Sequence, residues 1–187
     1  TVNQLTIKDC YTEGTVTSKA ASHVGGIIGA PQAKSQTITD TWSSADVTIL
    51  KDNADASAKH INVGGIAGSA TSYITLQRCY ATGVITNANE TNNYGHVGGL
   101  IGRATAGATI EDCYFTGTAK GHYYVGGLLG QLGGGTLDIS KSYASGVVTG
   151  NLETAGRYHG GIVGLLHSSA TKTTITNCWT SNNVSGE

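Results

Sequence analysis

The residues of this sequence that could do chemistry are spread along the chain at regular intervals. Its four cysteines, Cys10, Cys79, Cys113 and Cys178, take equivalent positions in a repeated segment. Metal sites made by cysteine usually show a local C-x-x-C pair, and the sequence contains none. We expect small buried thiols. A Cys79–Cys113 bridge is an alternative, because adjacent repeats would bring the two Cα atoms within bridging distance, although side chains in parallel register are poorly aimed for a bond.

Histidines and carboxylates recur in the same way. His23 and His96 share a repeat position that Asn62 fills between them, and a zinc site needs three or four converging ligands. We interpret both histidines as polar residues at a strand entry.

Asp9 and Asp40 are a pair of acids on adjacent repeats that could serve hydrolysis or calcium binding. Their basic neighbours favour a solvated corner instead.

A connection at 51–60 spaces possible oxygen ligands at alternate positions, in Asn53, Asp55 and Ser57. Calcium loops use such spacing but carry more acidic residues and an ordering glycine. We therefore predict neither a metal nor another cofactor, and no catalytic residues.

These residues are positioned by two alternating motifs. The first reads V-G-G-[IL]-x-G in its most regular copies, and its glycine pairs begin at Gly25, Gly64, Gly98, Gly126 and Gly160. A phosphate-binding glycine loop occurs once per nucleotide, between a strand and a helix. Five copies at a period near 34 residues therefore indicate a repeat architecture.

The second motif joins a β-branched stretch, a Cys-Tyr pair or its equivalent, a glycine turn and a Val-Thr stretch. Its six copies enclose the five glycine copies, and no segment shows helical periodicity. One repeat offers short strands at about 73–76, 82–86 and 97–101. These features predict an all-β fold, a parallel β-solenoid (β-helix) of five to six coils with three short strands per coil.

Equivalent residues should then form columns along the solenoid axis. One column holds the cysteines and another is aromatic, comprising Tyr11, Trp42, Tyr80, Tyr114, Tyr143 and Trp179. We interpret the aromatic column as a packing ladder. The motif glycines suit corners or a crowded interior, where no side chain fits.

Composition narrows the class of partner. The net charge is −1, 12% of residues are charged, and no basic patch indicates nucleic acid. No apolar run approaches the ~18 residues that suggest a membrane span. We interpret residues 1–187 as a single repeat domain. Because the sequence starts and stops inside a repeat motif, we expect it to be part of a longer array whose ends pair with neighbouring repeats or with each other.

The repeat resembles the GLUG motif, named for its glycine–hydrophobic–glycine signature. The strings "VGGLIG" at 97–102 and "VGGLLG" at 125–130 match one half, and "CYATG" and "CYFTG" match the other. Such repeats are found in large bacterial surface and secreted proteins, including adhesin-like proteins and immunoglobulin A proteases. The resemblance implies an extracellular or cell-surface module. It does not imply proteolysis, because the zinc-binding H-E-x-x-H string is absent.

The variable connections that follow the Val-Thr stretches are where we expect binding. By the repeat geometry they leave one edge of the solenoid, and per-repeat insertions often line a binding face. We predict a ligand-binding edge that includes Tyr94, Tyr123, Tyr158, Asp55 and Asn89.

The sequence thus favours a non-catalytic adhesion module, or a stalk that presents other domains, with a host glycan or protein as the possible ligand. A polysaccharide-active β-helix enzyme is one alternative, weakened by the lack of a carboxylate cluster. A substrate-binding accessory domain of a secreted protease is another.

Overall fold

The computed structural model describes residues 2–19, 21–50, 60–88, 95–150 and 156–186. In these ranges the regular structure is entirely β-strand. Each strand pairs in parallel with its counterpart one coil away, so five sheets run along the axis. The predicted parallel β-solenoid is therefore confirmed. None of the described segments forms a long apolar helix of the kind that crosses a bilayer.

We name the sheets A to E in the order in which a coil passes through them. Sheet A comprises Gln4–Lys8, Ser35–Thr39, Tyr73–Gln77, Gly107–Glu111, Gly135–Ser140 and Ala170–Thr176. Sheet B comprises Tyr11–Thr12, Trp42–Ser43, Tyr80–Ala81, Tyr114–Phe115, Tyr143–Ala144 and Trp179–Thr180. Sheet C comprises Thr15–Ser18, Asp46–Ile49, Val84–Asn87, Thr118–Gly121, Val147–Gly150 and Asn183–Gly186. Sheet D comprises His23–Gly25, Ile61–Gly64, Gly95–Gly98, Tyr124–Gly126 and Tyr158–Gly160. Sheet E comprises Ala67–Ala70, Ile101–Ala104, Leu129–Leu132 and Val163–Leu166.

The strands are divided more finely than the sequence predicted. The Cys-Tyr segment forms its own two-residue strand in sheet B. The stretch 97–101 was predicted as one strand, but it is broken at Gly99 and Leu100. Its first part belongs to the strand Gly95–Gly98 of sheet D, and its last residue begins the strand Ile101–Ala104 of sheet E. The chain bends there because Leu100 turns into the core, where it is fully buried.

The core is built from columns of aliphatic residues along the axis. Sheet A contributes Ile38, Leu76, Ile110 and Ile139, all fully buried, and sheet C contributes Val47, Ile85 and Val148. Ile66, Leu100 and Leu128 of the glycine motif fill the remaining side of the core. Burying each such side chain stabilises the fold by about 1.5–3 kcal/mol.

The motif glycines serve close approach of backbones. None of the V-G-G glycines has a positive φ. A Cβ on Gly98 would lie 1.9 Å from the Ile101 carbonyl oxygen and 2.7 Å from the Gly130 nitrogen. Sheets D and E therefore pack backbone against backbone, and the predicted crowded interior is confirmed.

The corner between sheets A and B uses a left-handed residue in every coil. Its φ is 49–53° although the residue is never glycine; the six are Asp9, Asp40, Arg78, Asp112, Lys141 and Asn177. The cysteine, serine or threonine that follows donates to the carbonyl two residues earlier, as in Cys113 Sγ to Glu111 O at 3.0 Å and Ser142 Oγ to Ser140 O at 2.8 Å. This bond closes the corner.

Candidate functional site

The predicted binding edge is described in part. Tyr94, Asp55 and Asn89, like the possible calcium ligands at 53–57, lie outside the described residues. Tyr123 and Tyr158 are described and lie in one cluster, because both rings contact Tyr124. The Tyr158 ring stacks on Tyr124 at a centroid distance of 5.8 Å, and Tyr123 meets Tyr124 edge to face at 6.3 Å.

We call Tyr123, Tyr124, Arg157 and Tyr158 the aromatic edge. The Arg157 guanidinium carbon lies 4.7 Å from the Tyr123 ring centroid, a cation–π contact. Tyr158 is 49% exposed, and its ring stacks on Tyr124. An exposed aromatic ring in a cluster that also holds a cation can stack on a sugar or anchor a protein side chain.

The same column of sheet D continues as a hydrogen-bonded polar ladder. His96 Nδ1 donates to Asn62 Oδ1, and Asn62 Nδ2 donates to His23 Nδ1 at 2.8 Å. These bonds fix both tautomers: Nδ1 carries the proton in His96, and Nε2 carries it in His23. The interpretation as polar strand-entry residues is confirmed, and the ladder adds a specific network that the sequence did not reveal.

The electrostatics of this ladder favour neutral imidazoles. Burial lowers the pKa of His96 well below its ordinary value of 6.5, with the charge of Arg103 adding to the effect. Burial and Arg103 also lower the pKa of His23. His96 Nε2 is buried without a hydrogen-bond partner in the described part of the chain.

A cavity of about 270 Å³ opens beside the polar ladder, between sheets D and E. Its basic and amide lining comprises His23, His60, Asn62 and Arg103. Its hydroxyl lining comprises Ser22, Ser69, Thr71 and Thr105. The repeat pattern of the sequence did not predict this cavity. One feature of the sequence could have indicated it. Arg103 is the charged residue in a column of sheet E whose other members are Ser69, Gln131 and Leu165.

The aromatic column of sheet B is a packing ladder, as predicted. Neighbouring rings are stacked at centroid distances of 4.5–5.7 Å with interplanar angles of 2–11°. Each internal ring therefore has both faces covered by its neighbours. The outer faces of Tyr11 and Trp179 alone are left uncovered by the stack within the described coils. This column consequently offers little face for stacking on a sugar.

The cysteine column carries free thiols. Cys79 and Cys113 are buried, and the Cys79 N–H donates to Cys113 Sγ at 3.3 Å. Burial raises the pKa of the Cys113 thiol, which keeps its proton for the bond to Glu111 O. The expected buried thiols are therefore confirmed for Cys79 and Cys113, whereas Cys10 is exposed and Cys178 is half-buried, and the Cys79–Cys113 bridge is not formed.

The Asp9–Asp40 corner is occupied by ion pairs. Arg78 binds both carboxylate oxygens of Asp40, and this contact lowers the pKa of Asp40. Lys8 Nζ lies 3.8 Å from Asp9 Oδ2. Among the described residues, no three His, Cys, Asp or Glu side chains come together as a metal site.

Comparison with known proteins agrees with this repeat architecture. Residues 93–120 match the family model described as the GLUG motif. The other four glycine-pair copies lie in register with this segment, directly or through their neighbours, so the matched segment is one unit of the repeat. A search of curated proteins finds no match.

A solved structure shares the fold. It is that of a Bacteroides ovatus protein described as a candidate immunoglobulin A1 protease, with a TM-score of 0.66 and 24% sequence identity. The alignment covers 96% of this chain and 60% of that one. At this identity the likeness shows the solenoid fold alone.

Proposed function

We propose that this chain is a non-catalytic module of a bacterial surface or secreted protein, and that it binds a glycan or protein ligand through the aromatic edge. The observation that carries the proposal is the exposed ring of Tyr158, which stacks on Tyr124 in the same cluster as the Arg157–Tyr123 pair. Rigid aromatic rings beside arginine are typical of binding hot spots.

The proposed surface or extracellular location of this chain is supported by the GLUG motif and by the structural neighbour. A protease of immunoglobulin A1 meets its substrate outside the bacterial cell, and a solenoid of the same fold suits an extended extracellular protein. The neighbour also supports the alternative role of a substrate-binding accessory domain. Hydrolysis by this segment is less favoured, because Asp40 of the best acid pair is held by Arg78.

The test is a binding screen of the purified chain against glycan and host matrix-protein arrays. Tyr158→Ala should weaken a genuine hit by about tenfold or more, the range expected for a hot-spot aromatic. Tyr11→Ala is the matched control, because Tyr11 is also an exposed ring at the end of a stack but lies in sheet B. A hit that Tyr158→Ala retains would refute the aromatic edge. No hit from a folded sample would favour a spacer.

A further inference from the structure

The cavity between sheets D and E has an unusual charge balance. Among the described residues that line it, the ionisable ones are Arg103, His23 and His60, and none of these described lining residues is acidic. The charge of Arg103 therefore attracts a phosphate, a carboxylate or another anion, and no carboxylate of a described lining residue competes for it.

Arg103 is the charged residue of the cavity that is best prepared to bind an anion. Its side chain is half-buried, and its Nε is buried without a hydrogen-bond partner in the described part of the chain. No ion pair joins it to a described carboxylate. A guanidinium withdrawn from water is normally paired, since an uncompensated charge in such a place is costly. The cavity thus contains a cation prepared for an anion.

The neighbouring groups extend the set of donors. Because Asn62 occupies His23 Nδ1, the proton of His23 lies on Nε2, and this half-buried ring lines the cavity. Hydroxyls of Ser69 and Thr105 complete the wall. Arginine matches the planar, two-oxygen geometry of a carboxylate, and hydroxyl and amide side chains match the hydroxyls of a sugar ring.

We propose that this cavity binds the carboxylate of an acidic sugar, with Arg103 as the carboxylate ligand and His23, Ser69 and Thr105 as hydrogen-bonding neighbours. Its volume of about 270 Å³ is below the usual range for drug-sized ligands and suits a single sugar unit. The inference goes beyond the proposed function, because it does not depend on the aromatic edge and could hold for a spacer as well.

The experiment is calorimetric or NMR titration of the whole chain with glucuronate, galacturonate and N-acetylneuraminate. Glucose and the methyl ester of galacturonate are matched neutral ligands. We expect saturable binding of at least one acidic sugar to the wild type. The neutral counterpart of that sugar should bind the wild type at least tenfold more weakly, and Arg103→Gln should bind the acidic sugar at least tenfold more weakly. This is the loss expected for a two-point charged hydrogen bond. Arg78→Gln, which alters an exposed arginine of the sheet A–B corner, should bind like the wild type.

Other outcomes overturn the inference. Absence of saturable binding by the folded wild type, or equal binding of galacturonate and its methyl ester, would refute the carboxylate site. Glutamate or acetate binding as tightly as the uronates would refute the sugar assignment. If Arg103→Gln does not fold, Arg103→Lys keeps the charge without the two-point geometry and should still weaken binding. Tyr158→Ala should leave the titration unchanged, so failure of this site and failure of the aromatic edge are distinguishable.

Discussion

At the scale of single residues, the corner between sheets A and B is stabilised by a relay of small hydrogen-bonding side chains. Ser142 Oγ accepts from the Cys113 N–H at 3.1 Å and donates to the Ser140 carbonyl. Cys113 Sγ plays the same two roles for Cys79 N–H and the Glu111 carbonyl. The relay explains why cysteine, serine and threonine share one column: each is small and each can both donate and accept.

We expect Ser142→Ala to lower the free energy of unfolding by about 1–3 kcal/mol, because it leaves the buried Cys113 N–H without an acceptor. Ser142→Cys is the matched control. A thiol restores both bonds, so its free energy of unfolding should stay within about 1 kcal/mol of the wild type. Urea unfolding measures both. Equal losses in the two variants would show that the relay does not matter.

A second prediction concerns the pH dependence of stability. The pKa of His96 is lowered in the folded state, so below its ordinary value of 6.5 the unfolded chain binds a proton that the folded chain does not. This contribution to stability is present above pH 6.5 and is lost as the pH falls, at up to about 1.4 kcal/mol per pH unit.

We therefore expect the wild type to lose about 1 kcal/mol more than His96→Asn between pH 7.5 and 5.5. Asparagine can still donate to Asn62 and occurs in the same column, so it removes the titration while keeping the bond. Urea unfolding of both proteins at the two pH values measures the difference. Identical losses would mean that His96 is not the titrating group.

Residue columns were predictable from the sequence, whereas their contacts were not. The repeat period places Asn62 between His23 and His96, but only the folded structure shows which of their atoms are hydrogen-bonded. The role of Arg103 was not predictable, because it depends on the lack of a hydrogen-bond partner for Nε among the described residues, which is a property of the packed structure. The left-handed corner was equally hidden, since Arg78 and Lys141 are not residues that favour a positive φ.

At the scale of elements, the V-G-G segment is the least tolerant part of each coil. We expect Gly98→Ala to lower the free energy of unfolding by more than about 4 kcal/mol, because its Cβ would overlap backbone atoms on both sides. Gly14→Ala is the control: Gly14 has a φ of 87° and no atom near its added Cβ. A left-handed alanine should cost about 1–2 kcal/mol.

Chemical unfolding of the two variants shows whether glycine is needed at position 98 for the close approach of backbones. If Gly98→Ala lowered the free energy of unfolding no more than Gly14→Ala, close packing of the backbones of sheets D and E would not be the reason for glycine there.

The sequence predicted the crowding correctly because five glycine copies align. It placed one strand across 97–101 because apolar periodicity does not show where a chain bends.

At the scale of the whole molecule, the aliphatic columns reach an open end. Ile175 is 43% exposed, although Ile38, Leu76, Ile110 and Ile139 of the same column are fully buried. Val184 is 47% exposed at the corresponding end of the sheet C column. The last strand of sheet A also presents unpaired edge groups, which favour pairing with another strand.

We expect the isolated chain to self-associate end to end at high concentration. Sedimentation velocity over a hundredfold concentration range should show growth in mass for the wild type, and Ile175→Lys should reduce it. Because Ile175 is already exposed, this variant should keep its fold. A wild type that stays monomeric throughout would refute the prediction.

The central claim is that ligands bind this solenoid beside sheet D, in the cavity lined by Arg103 or at the aromatic edge. Backbone NMR mapping with a mixture of neutral and acidic sugars tests it most directly. The account predicts amide shifts clustered at His23, Asn62 and Arg103 or at Tyr124 and Tyr158. Shifts confined to the aromatic column of sheet B, or none at saturating sugar, would contradict it.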